Sequence, residues 1–118
     1  MSRHNDELYI HHIRQAGEKI IRRLRGISWD SFDSDDVLQD AVIRQMEIIG
    51  EAAAHISEEF RLAHPQMDWR GMKDLRNVLI HGYAEVNIDR VWNIAHTKVP
   101  SLYHQLVDLS RDREEERE

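Results

Sequence analysis

The chain has no cysteine. That absence removes disulfides, thiolate-ligated zinc and thiol nucleophiles together, and it fits a protein kept in a reducing interior. Proline and glycine are scarce, two and five in 118 residues, so few positions force the backbone out of a helix. No apolar run reaches the roughly 20 residues needed to cross a bilayer. The N-terminal Ser2, Arg3, His4, Asn5 and Asp6 are polar, without the apolar stretch of a signal peptide. A soluble, cytoplasmic protein with no membrane contact is expected. Positive charge is in deficit as well, 16 Lys and Arg against 22 Asp and Glu for a net charge of −6. Nucleic acid is therefore not attracted by the whole surface, and any polyanion must be met locally. The histidines show no HExxH or comparable spacing, so neither a metal nor another cofactor is expected.

The hydrophobic content, 41%, is enough for one domain with one core, here residues 1–110. Residues 111–118 contain no apolar side chain and read as a frayed helix end or a disordered tail. Apolar positions recur at three- and four-residue steps nearly throughout. Tyr9, Ile13, Ile20 and Leu24 mark a first helix from about Asp6 to Arg25, stopped by Gly26. Asp33 or Ser34 caps a second helix, whose stripe from Leu38 through Ile56 and Phe60 continues until Pro65. Gly50 within it costs helix propensity and implies that another helix comes close, the partner of a dimer being one candidate. Asp68 caps a third helix from Trp69 to about His81, with Gly82 as its stop. Asn87 caps a fourth, which carries Ile88, Trp92, Ala95, Val99, Leu102, Leu106 and Leu109 and should bend rather than end at Pro100. The fold class is all-α, a four-helix up-down bundle with its last helix kinked at a proline. Trp69 and Trp92 read as core anchors.

The segment Arg76-Asn77-Val78-Leu79-Ile80-His81-Gly82-Tyr83 places a fixed cation, a titratable base and a phenol at a helix end. On a regular helix Arg76 shares the arc of Trp69, Met72, Leu75 and Leu79 and points toward apolar company. A guanidinium there requires a carboxylate partner, a cleft or another subunit. Glu47 and Glu51 on the second helix are candidate partners, and a purely structural Arg–Glu pair is the plain alternative. His81 projects roughly 140° away from Arg76, so the two converge only if the helix unwinds at Gly82 or if two copies of the chain face each other. At the last turn the helix dipole favours the charged imidazole. A lone His beside a helix-ending Gly is more often a simple C-terminal cap.

The R-x4-H-x-Y pattern of Arg76, His81 and Tyr83 follows Asp68-Trp69-Arg70-Gly71-Met72 and precedes Val86-Asn87-Ile88-Asp89-Arg90-Val91-Trp92. Together with Ala41-Val42-Ile43-Arg44-Gln45-Met46-Glu47-Ile48-Ile49-Gly50-Glu51-Ala52 upstream, it resembles the HepT-like branch of the HEPN superfamily from about residue 5 to 109. The resemblance implies an all-helical homodimer and a ribonuclease toxin that works without metal, its two R-x4-H motifs meeting in a cleft between subunits. It assigns Arg76 and His81 to catalysis on RNA, either tRNA or mRNA, and Asn77 to phosphate orientation. Arg70 and Lys73, with Arg22, Arg23, Arg25 and Arg61, could form a basic rim for that RNA, although exposed charges on a helical domain are commonly just solvated. The resemblance also implies a minimal nucleotidyltransferase antitoxin that silences the toxin by attaching AMP to Tyr83, which could otherwise be a packing aromatic. Two further functions remain compatible: a non-catalytic HEPN dimer that binds the nucleotidyltransferase or a nucleotide, and a plain helical adaptor.

Overall fold

A computed structural model describes residues 3–80 and 86–117, with side chains described for 5–77 and 86–112. Among the described residues there are seven helices and no strand. They are α1 (Arg3–Leu24), α2 (Trp29–Asp33), α3 (Asp36–Ala54), α4 (Glu58–Ala63), α5 (Trp69–Ile80), α6 (Ile88–His96) and α7 (Lys98–Arg117). The all-helical expectation holds, and the four helical runs read from the sequence correspond to α1, α3 with α4, α5, and α6 with α7. No helix among the described residues is long and apolar enough to cross a membrane.

Local chemistry explains several of the starts and the stop of α1. Gly26 has φ +74°, a left-handed conformation that ends α1 without a Cβ penalty. The expected connector after it holds α2, capped by Ser28, whose Oγ accepts from the Ser31 N–H at 3.2 Å. Asp35, rather than Asp33 or Ser34, caps α3 by accepting from the Leu38 N–H at 3.0 Å. Asp68 accepts from the Gly71 N–H at 2.9 Å and Asn87 from the Arg90 N–H at 3.1 Å, the caps expected for α5 and α6.

Two expected continuous helices are divided. The second does not run on to Pro65: α3 stops at Ala54, and α4 begins at Glu58, behind Ser57. The cause lies far away in sequence. Asp6, a buried carboxyl of α1, accepts from the Ser57 backbone N–H at 2.8 Å and from its hydroxyl at 2.7 Å. Ser57 Oγ in turn accepts from the Phe60 N–H at 3.1 Å. That network satisfies the exposed amides of a new helix start, which a continuous helix would not have. The last helix breaks at Thr97, so Pro100 lies within the first turn of α7 instead of at a kink. A proline lacks the amide that would bond the His96 carbonyl, and in the first turn of a helix that amide has no intrahelical partner in any case. The apolar stripe does continue across the break, with Val91, Ala95, Val99, Leu102, Leu106 and Leu109 all buried. Beyond Leu109, α7 remains helical through Arg117.

The helix α3 is central. It packs against α1 on one side and α5 on the other, while α7 covers α1 and α6 rests on α7. Ile13, Ile20, Val42, Met46, Ile49, Met72, Leu75, Val99 and Leu106 fill the space between them. Trp69 is buried and donates its indole N–H to the His64 carbonyl at 2.9 Å. The Trp92 ring lies 5.1 Å from that of the fully buried Phe32, so both tryptophans are core anchors. The molecule measures 48 × 30 × 20 Å, and its short axis accommodates two helix layers of about 10 Å each. The close approach implied by Gly50 is made within the chain. A Cβ built there would lie 2.9 Å from Arg76 Cβ and 3.0 Å from the Arg76 backbone nitrogen.

Candidate functional site

Helix α5 sets its polar side chains along the edge of a groove against α3. Gly50 and Ala54 of α3 form one wall, with Arg61 of α4 and Arg70, Lys73, Asp74, Arg76 and Asn77 of α5 around them and Trp69 beneath. The groove encloses about 470 Å³. Four cations and one carboxylate line it, a local excess of positive charge on a chain whose total is −6. Arg76, Asn77, Arg70 and Lys73, all assigned to a site from the sequence, are thus brought together in one groove, and all four are exposed. Arg61, on α4, joins them in the lining. Arg22, Arg23 and Arg25 do not line the groove, and Arg22 is 3.6 Å from Glu18 on its own helix.

Arg76 departs from its expected surroundings. Its neighbours Trp69, Met72 and Leu75 are buried, but the arginine itself is exposed. With glycine at 50 and alanine at 54, α3 presents almost no side chain at this point, so the root of Arg76 lies on α3 while its long stem passes outward. Neither expected carboxylate partner is in place. Glu47 lies 3.5 Å from Arg44, and Glu51 faces a second groove, between α1 and α3, together with Tyr9, His12, Lys19 and His55. The physical reason is helical phase: Gly50 turns toward α5, which carries Glu51 round toward α1. Among the described residues Arg76 has no ion-pair partner. Asn77 donates from Nδ2 to Asp74 Oδ1 at 3.4 Å. His81, Gly82 and Tyr83 lie outside the described residues, and α5 is described to Ile80. No group of three or more His, Asp or Glu that could hold a metal is gathered among the described residues.

Sequence reasoning underrated Gly50 and Ala54 as parts of the site, since they contribute no functional group. Their signal was a glycine interior to a strong helix, which marks a close neighbour without saying which.

An all-helical domain with a groove walled by arginine and lysine has the form of a protein that meets a phosphate backbone locally. The family model for Ribonuclease HepT-like proteins matches residues 13–109, and the chain belongs to that family. It is 38% identical over 86% of its length to a provisionally named RNase of Caldanaerobacter subterraneus subsp. tengcongensis, covering 90% of that protein. A provisionally named RNase of Methanocaldococcus jannaschii is 36% identical, over 93% of this chain and 91% of its own. A provisionally named ribonuclease HepT of Thermococcus cleftensis is 39% identical, over 80% and 86% respectively. No solved structure matches the chain.

Proposed function

We propose that the chain is the metal-independent endoribonuclease toxin of a toxin–antitoxin pair, acting as a homodimer on RNA. The observation that carries this reading is the gathering of Arg61, Arg70, Lys73 and Arg76 around one groove of an otherwise acidic protein, in a member of the Ribonuclease HepT-like family. In the proposed reaction the imidazole of His81 takes the proton of a ribose 2′-hydroxyl, whose oxygen attacks the adjacent phosphorus. The Arg76 guanidinium stabilises the negative charge that builds on the phosphoryl oxygens as the five-coordinate state forms. The bond to the 5′-oxygen breaks, and His81 of the partner subunit donates a proton to that leaving oxygen. The products are a 2′,3′-cyclic phosphate and a 5′-hydroxyl. Two copies would resolve the conflict expected of a single regular helix, on which Arg76 and His81 would project in different directions. DNA, lacking the attacking hydroxyl, is spared. Arg70, Lys73 and Asn77 hold the RNA backbone in this scheme.

Control falls to Tyr83. A minimal nucleotidyltransferase antitoxin transfers AMP from ATP to its phenolic oxygen with release of pyrophosphate, and the added negative phosphate competes with RNA for the cations beside it. Incubation of total RNA with the purified protein in excess chelator tests the enzyme. Cleavage is expected from the wild type and none from Arg76→Ala or His81→Ala, whereas identical RNA from all three would end the ribonuclease reading. Intact mass after exposure to the partner and ATP tests the switch: an AMP-sized gain should appear and should vanish in Tyr83→Phe.

A further inference from the structure

We infer that Gly50 is a positioning residue for Arg76, setting where the guanidinium stands over the groove. This rests on the ribonuclease reading of that groove and identifies how the chain holds its cation in place. Arg76 has no ion-pair partner among the described residues, so the placement of its stem depends on the root of the side chain. That root lies on Gly50. A Cβ at position 50 would stand 2.9 Å from Arg76 Cβ, 3.0 Å from its backbone nitrogen and 3.4 Å from its Cα. Carbon atoms pack best at roughly 3.5–4.0 Å, so even a methyl group does not fit. The atoms it meets are main chain and the first side-chain carbon, and rotation of the arginine tip gives no relief. The α5 backbone itself must move away from α3 by something near 0.5 Å or more to restore that separation.

The displacement is carried to the site. Arg70, Lys73 and Asn77 share α5 with Arg76 and move with it, but they hold an extended backbone at several points and tolerate a small shift. A cation that must meet developing charge at one phosphorus does not, since a misplacement near 1 Å costs about a hundredfold in rate. Gly50 therefore acts on the chemical step more than on binding.

Gly50→Ala tests this. In the folded variant kcat for RNA cleavage should fall about 10- to 100-fold with KM changed less than about threefold. The Arg76 Nε–Hε cross-peak, assigned by its loss in Arg76→Lys, should shift. Leu102→Ala, a core truncation in α7 remote from the groove, serves as the destabilised control and should keep kcat and the cross-peak. A folded Gly50→Ala protein with wild-type kcat and an unmoved cross-peak overturns the proposal. If Gly50→Ala does not fold, Ala54→Val, one turn along the same wall, is measured in the same two ways, and wild-type kcat with an unmoved cross-peak again overturns the proposal. A wild type that cuts no RNA overturns the ribonuclease reading, and the cross-peak then decides the part of Gly50 alone.

Discussion

Asp6 shows how much one side chain can decide. Its buried carboxyl joins the start of α1 to the start of α4 through both polar groups of Ser57. Truncation to alanine leaves the Ser57 N–H without its partner, and hydrogen bonds to a charged group contribute about 2 kcal/mol. Asp6→Ala should lower Tm by roughly 8 °C at about 4 °C per kcal/mol for a domain of this size. Thermal unfolding followed by circular dichroism measures it, and a Tm within about 1 °C of wild type would contradict the assignment. This contact was illegible in the sequence because Asp6 and Ser57 are 51 positions apart, and either residue alone looks like an ordinary surface polar group. The caps Asp68 and Asn87 were legible because each acts within three residues of itself. The environment of Arg76 was not legible, because it depends on the neighbouring helix being nearly bare at Gly50.

At the scale of helices, the groove is bounded by α3, α4 and α5. Periodicity alone carried the second helix on to Pro65, since Ile56 and Phe60 keep the phase of the α3 stripe. The tertiary bond from Asp6 makes the break instead, and α4, which follows it, carries Arg61 of the lining. If RNA is held there by its phosphates, each lining cation contributes to counterion release. Arg61→Ala, Arg70→Ala and Lys73→Ala should each reduce the steepness of log affinity against log salt by about 0.7 for single-stranded RNA, and should weaken unrelated RNA sequences alike. Binding measured by fluorescence anisotropy at several salt concentrations reads this slope. Glu58→Ala, an exposed change on α4 outside the lining, should leave it unreduced. Three cation variants with wild-type slopes would remove RNA from the groove.

For the whole molecule, the proposed chemistry is divided between copies, with one His81 as base and the other as acid. Mixed dimers make that division measurable. When wild type is re-associated with increasing His81→Ala protein, activity should fall faster than the wild-type fraction, because a mixed dimer lacks one of the two proton-transfer groups. A strictly proportional decline would mean that each chain works alone. The all-helical class could be read from the sequence at this scale, since scarce glycine and proline leave the helical period undisturbed. The division of the last helix at Thr97 could not, because the buried stripe from Val91 to Leu109 crosses it in phase.

The bare α3 wall also bears on which RNA such a groove would accept. Gly50 and Ala54 offer main chain and one methyl group, the four cations suit phosphates, and Asp74 accepts from Asn77. Phosphate contacts set position while base-edge contacts carry sequence information. A strand lying there would be selected by the accessibility and path of its sugar–phosphate chain far more than by the letters it spells.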